Sequence, residues 1–261
     1  MCSTTASHPG ARQPDGVVVQ RERQRLRIES GRLHVSEAQV LEEQGEQLEV
    51  VGRVGGLGRG EQIQSVRFLD EVAYVVTFRQ TDPFYVVDLS QPTAPAVTGE
   101  LKIPGFSTYL HPVGDDLLLG VGQDADLQGR VTGMQVSLFD LSDLSKPEQV
   151  DRLSLGHGWS PAGDDSRAFG YDPQRRTALL PFSVWDHTPT SVALGIRVEG
   201  RRLVEAGRMP VMPENTAERV LHDGRQIYTV SRRGVVAGSF DTFERTGAVD
   251  FAVEGGSATP R

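Results

Sequence analysis

Apolar and polar residues along this chain sort into short bursts, most about five to eight residues long, separated by turn-forming clusters. The runs include "QLEVVGRV", "VAYVVTF", "FYVVDL", "DLLLGVG", "VTGMQVSLFDL", "TALLPFSV", "TSVALGIRV", "QIYTVS" and "GVVAGSF". They are rich in β-branched residues, and none keeps a helical period over about 12 positions. The pattern predicts an all-β chain from about residue 33 onward. In "YVVTFRQTDPFYVVDLS", residues 74–90, two such runs flank the polar insert Arg79-Gln80-Thr81-Asp82-Pro83. As architecture the insert is a hairpin loop, because Asp-Pro favours a turn. As chemistry, Arg79 and Asp82 form a polar pair on a ligand-facing loop.

The bursts recur in order. Acid-containing turns at Asp70-Glu71, Asp115-Asp116, Asp172-Pro173 and Asp223-Gly224 each lead into an apolar strand, then a loop, then a second strand. Three of those second strands end near an aspartate, at Asp88, Asp140 and Asp241, spaced by 52 and then 101 residues. A unit of about 50 residues and four strands cannot bury both faces of its small sheet alone, so neighbours must stack. That is the signature of a β-propeller. The pattern places about four recognisable blades near 65–105, 106–158, 159–211 and 218–253, within a propeller domain over 33–261 that is part of a larger propeller. Residues 33–54 supply the last strands of an earlier, incomplete blade. Residues 1–32 are polar, Arg-rich and aperiodic, as a disordered leader would be. A β-sandwich is the competing all-β fold, but its strands need not repeat at this period.

Charge narrows the partners. Net charge is −8 and the pI about 5.3. An acidic chain does not neutralise phosphates, which argues against nucleic acid. No run reaches the ~18 apolar residues of a membrane span, and "MCSTTASHPGARQPDG" lacks the apolar core of an export signal. The single cysteine, Cys2, excludes a disulfide framework and a cysteine metal site.

The sharpest chemical candidate is "DADLQGR", residues 124–130. Asp124, Asp126, Gln128 and Gly129 occupy the first, third, fifth and sixth positions of a Ca²⁺-binding loop, where alternate oxygens converge on a hard cation. Gln135 stands where that loop needs its bidentate Glu. The same residues also suit a solvated hairpin loop, and both readings stand at this point. The six histidines show no zinc-ligand spacing, and no Gly-x-Ser-x-Gly nucleophile elbow is present. Trp159, Trp185 and Phe106 suit either a carbohydrate or peptide site or packing between blades.

Over about residues 40–253, "YVVTFRQTDPFYVVDLS", "GELKIPGFSTYLHP" and "LLLGVGQDADLQGRVTGMQVSLFDLS" resemble bacterial and archaeal secreted proteins with a C-terminal β-propeller domain. "IYTVSRRGVVAGSFDTFERTGAV" fits less closely. The resemblance implies a propeller fold and an extracytoplasmic location, secreted or in the cell envelope, and it implies no reaction. The chain departs from the pattern at Asp165-Ser166-Arg167-Ala168-Phe169, where the family shows Asp-His-Lys-Ala-Phe. It also begins midway through the expected propeller without a visible export signal, as a truncated reading frame would. Three functions follow as expectations. The first is a non-enzymatic interaction module for a protein or glycan partner, with Ca²⁺ as a possible stabiliser. The second is an extracytoplasmic hydrolase or lyase using carboxylates such as Asp124, Asp126 or Asp186. The third is a fragment that associates through open blade edges.

Overall fold

The computed structural model describes residues 16–21, 24–30, 36–44, 47–58, 61–78, 82–114, 116–126, 128–184, 190–212 and 215–251. No α-helix occurs among them. The strands form five antiparallel sheets, and the chain divides into two compact units, Met1–Ser154 and Leu155–Arg261. No helix among the described residues is long and apolar enough to cross a membrane.

The first unit holds three four-stranded meanders. The first comprises β1 (Gly16–Arg21), β2 (Gln24–Ser30), β3 (Ser36–Gln44) and β4 (Gln47–Gly55). The second comprises β5 (Gln62–Leu69), β6 (Val72–Phe78), β7 (Asp82–Asp88) and β8 (Ala96–Ile103). The third comprises β9 (Phe106–Pro112), β10 (Leu117–Ala125), β11 (Val131–Asp140) and β12 (Glu148–Gly156). In the second unit, β13 (Gly158–Trp159) and β14 (Gly170–Asp172) both pair with β15 (Thr177–Val184), followed by β16 (Thr190–Glu199) and β17 (Arg202–Pro210). The last sheet is β18 (Arg219–His222), β19 (Gln226–Val230), β20 (Gly234–Ser239) and β21 (Arg245–Asp250).

Two sequence expectations differ from this arrangement. Within the leader expected to be disordered over 1–32, residues 16–21 and 24–30 form β1 and β2, and residues 1–15, 22–23 and 31–32 lie outside those described. Their pairing sets Val17 opposite Ile28 and Val19 opposite Leu26, an alternation that the intervening arginines obscure in the sequence. The two strands complete the sheet that 33–54 left as a stray hairpin, so five sheets stand where about four were recognisable.

The meander explains why the middle strands read as unbroken apolar runs. Successive side chains of a strand point to opposite faces, and the central strands of the second sheet are covered on both. Ala73 and Val75 of β6, with Tyr85 and Val87 of β7, pack against Ala38 and Val40 of the preceding sheet. The alternate residues Tyr74, Val76, Phe84 and Val86 pack against Leu110, Leu118 and Phe139 of the following one. Phe84 stacks on Phe139 with ring centroids 4.9 Å apart. Each such fully buried side chain is worth about 1.5–3 kcal/mol. Fourth strands are the exposed ones, and β21 contains no buried position.

The fourth strands also carry the joint between sheets. A β-bulge in β4 and another in β8 precede Gly52 and Gly99. A Cβ at Gly52 would run into the Pro92 carbonyl and the Pro95 ring; one at Gly99 would meet the Leu144 carbonyl and the Pro147 ring. Each glycine is thus the seat for the turn between third and fourth strands of the next sheet. In the second unit, Gly207 of β17 follows a bulge in the same way, and with Gly195 it seats the ring of Phe243.

Candidate functional site

The second unit contains a cleft of about 590 Å³ lined by Trp159, Pro161, Asp165, the segment 215–219 and Arg232. Its origin lies in an interrupted strand. β13 pairs with residues 183–184 of β15 and β14 with residues 177–179, leaving Leu180, Pro181 and Phe182 without a strand partner on that edge. Pro181 has no N–H and contributes no donor to the ladder there. The chain leaves the sheet over residues 160–169 and forms two 3-10 turns, Pro161–Gly163 and Ser166–Ala168.

Local capping holds that excursion. The Ser160 hydroxyl accepts from the Ala162 amide at 3.2 Å, and Pro161 presets the first turn. The Asp165 carboxylate accepts from the Arg167 amide at 3.0 Å. Ala162 and Ala168 are buried beneath. The opposite wall is anchored from below: the buried Ser183 and Ser191 hydroxyls meet at 3.1 Å, and Ser191 Oγ accepts from the Ala217 amide at 3.0 Å. Ser231 closes a tight turn with Gly234, its amide donating to the Gly234 carbonyl at 2.9 Å, and this turn presents the exposed Arg232.

The charges of the cleft are paired across it. Arg219 Nη2 lies 3.1 Å from Asp165 Oδ2, and Arg232 Nε lies 3.0 Å from Glu218 Oε1. Arg167 adds a second guanidinium to Asp165, with Nε at 3.0 Å from Oδ1. The Arg167 hydrogen bond, aided by the charge of Arg219, holds the Asp165 carboxyl below the usual carboxylate range. The lining thus balances two guanidiniums, Arg219 and Arg232, against two carboxylates, and Arg167 adds a third guanidinium beside it.

The residues singled out from sequence fall elsewhere. Asp124, near the end of β10, pairs with Arg152 of β12 at 3.1 Å. Asp126 accepts from the amides of Gln128 and Arg130, each at 2.9 Å, and from Arg130 Nε at 2.7 Å. Those bonds, the Arg130 amide foremost, hold its carboxyl below the usual range. Gln128 is exposed. The two carboxylates are therefore engaged by different arginines, and no three His, Cys, Asp or Glu side chains group together for a metal among the described residues. Arg79 and Asp186 lie outside the described residues, as does Trp185. Asp82 begins β7, opposite Ile103. Phe106 packs on Phe78 with centroids 4.4 Å apart.

Of the cleft, Trp159 and the stretch Asp165–Phe169 stand out in the sequence, with nothing there to connect them. Arg219 and Arg232 went unnoticed, since Arg219 meets Asp165 across a separation of 54 residues. The available signal was Pro181 inside the apolar run "TALLPFSV", opposite a Pro- and Gly-containing insert.

A family model described as a β-propeller domain matches residues 24–243. An uncharacterised protein of Methanocaldococcus jannaschii is 48% identical over 134 residues, which is 51% of this chain and 21% of that protein. An uncharacterised protein of Archaeoglobus fulgidus is 48% identical over 136 residues, 52% of this chain and 21% of its own. The chain therefore spans about a fifth of the length of these relatives. Among solved structures, that of a protein from Lactobacillus plantarum aligns with a TM-score of 0.56 at 13% identity, covering 83% of this chain and 64% of that one. At that identity the likeness is one of fold.

Proposed function

The chain belongs to the β-propeller domain family, and on that premise we propose that it is a non-enzymatic binding module whose cleft in the second unit takes a peptide segment bearing an acidic side chain. A propeller presents loops on rigid sheets, which suits recognition more than it dictates any reaction. The observation that carries the proposal is the charge pairing. Asp165 and Glu218 are both committed to arginines. Asp165 is held ionised, which suits recognition and not proton donation near neutral pH. Trp159 and Pro161 supply apolar surface, Asn215 and Thr216 supply hydrogen-bonding groups, and Arg219 and Arg232, with Arg167 sharing Asp165 beside the cleft, supply guanidiniums for an anionic side chain. The extracytoplasmic location is proposed on the sequence resemblance alone.

The test is a peptide array and a glycan array probed with the 261-residue chain and with Trp159→Ala and Arg219→Gln. Acidic peptides captured by the parent and weakened at least about tenfold by either substitution support the proposal. Glycan capture lost in Trp159→Ala would transfer the site to carbohydrate. Peptide binding insensitive to both substitutions would remove the cleft from consideration.

A further inference from the structure

In the first unit a half-buried cation, Arg67, has no counter-ion among the described residues. β5 and β9 lie side by side, and Ser65 Oγ of β5 donates to the Ser107 carbonyl of β9 at 2.7 Å. Two residues further along β5, and so on the same face as Ser65, stands Arg67. On β9, Tyr109 and His111 are likewise two apart; Tyr109 Oη lies 3.1 Å from His111 Nδ1, and their ring centroids are 6.1 Å apart. Arg67 is half-buried, its Nε is fully shielded from solvent, and that nitrogen has no hydrogen-bond partner. No carboxylate forms an ion pair with Arg67 among the described residues, although Asp124, Asp126, Asp165 and Glu218 all find arginines of their own.

A shielded guanidinium donor left unpaired is costly, and structures seldom retain one without a partner. Its planar fork matches the geometry of carboxylate and phosphate oxygens. We propose that Arg67, flanked by Tyr109 and His111, forms a binding site for an oxyanion, the carboxylate or phosphate group of a small molecule. His111 is held neutral near pH 7, by burial first and by Arg67 second, which leaves the guanidinium as the charge that the site presents.

The experiment is thermal melting and isothermal titration of the full chain with inorganic phosphate and, separately, with succinate, each against KCl at matched ionic strength. The expected result is a rise in Tm of about 3–5 °C at roughly tenfold excess over Kd in one arm or both, the responding arm identifying the oxyanion. Arg67→Met should abolish the response and, without added anion, melt at or above the parent, because it removes an unpaired charge. Arg67→Lys keeps the charge and loses the fork, and should bind at least about tenfold more weakly. A parent chain that responds to neither anion beyond KCl overturns the site whatever the variants do, and so does a response that survives in Arg67→Met.

Discussion

The two units solve one joining problem with different materials. In the first, Gly52 and Gly99 receive proline-bearing turns, so the contact is backbone against backbone and its shape is set largely by rigid rings. In the second, Gly195 and Gly207 receive the aromatic ring of Phe243, whose own backbone sits at φ 57°, a left-handed conformation unusual for a bulky residue. That conformation costs about 1–2 kcal/mol, and burial of the ring, worth about 1.5–3 kcal/mol, offsets it. Neighbouring polar groups brace the aromatic joint: Arg175 contacts Asp241 at 3.2 Å and lies over the Phe240 ring at 4.8 Å. A proline turn spends little entropy on ordering, whereas an aromatic knob needs its socket already formed. The first joint thus depends on the absence of a Cβ in the socket, and the second on the presence of the ring.

This contrast orders four measurements. Phe243→Ala should destabilise by about 3–5 kcal/mol in denaturant unfolding, since it empties a socket made by two glycines. A loss below about 1 kcal/mol would show that the strained backbone, and not the ring, dominates. Gly99→Ala should cost about 1–3 kcal/mol, because its Cβ meets a backbone carbonyl that cannot swing aside; no loss would mean the proline turns are loosely seated.

The third measurement concerns buried charge in the first unit. His111 is lowered from 6.5 to about 4, through burial and then the charge of Arg67. A depressed histidine binds its proton more readily in the unfolded chain. Its contribution to stability is therefore complete above pH 6.5 and lost as pH falls from 6.5 toward 4. Allowing for partial solvent access, that loss is about 2 kcal/mol. His111→Gln should flatten this slope in a pH series of unfolding curves, and an unchanged slope would locate the acid sensitivity elsewhere. The smallest effect belongs to Asp241→Asn. Asp241 is 74% exposed, so its bond to Arg175 contributes less than about 0.5 kcal/mol. A larger loss would make the brace an integral part of the aromatic joint.

Much of the fold was legible because a strand covered on both faces is apolar on both, as in "AYVV" and "FYVV". The repeated aspartates were legible as a period, and the structure supplies their purpose. Asp88 accepts from the Ser90 amide at 2.8 Å and Asp140 from that of Ser142 at 2.9 Å, so "DLS" is a turn-former at the end of a third strand. The calcium-like spacing at 124–130 was legible too, but not its surroundings. Spacing records the order of oxygens but not the arginine 28 residues away that takes Asp124.

By itself, the sequence determined the all-β class, the period of about 50 residues and the turns that punctuate it. These are local properties, set by side-chain alternation and by the restricted dihedrals of Pro, Asp and Gly. Only the tertiary structure decided that Arg219 faces Asp165, that Phe243 fills the socket of Gly195 and Gly207, and that Arg67 has no acid among the described residues. Each of those pairings or failures to pair depends on which sheets become neighbours, and stacking joins residues about one repeat apart whose letters carry no mark of one another.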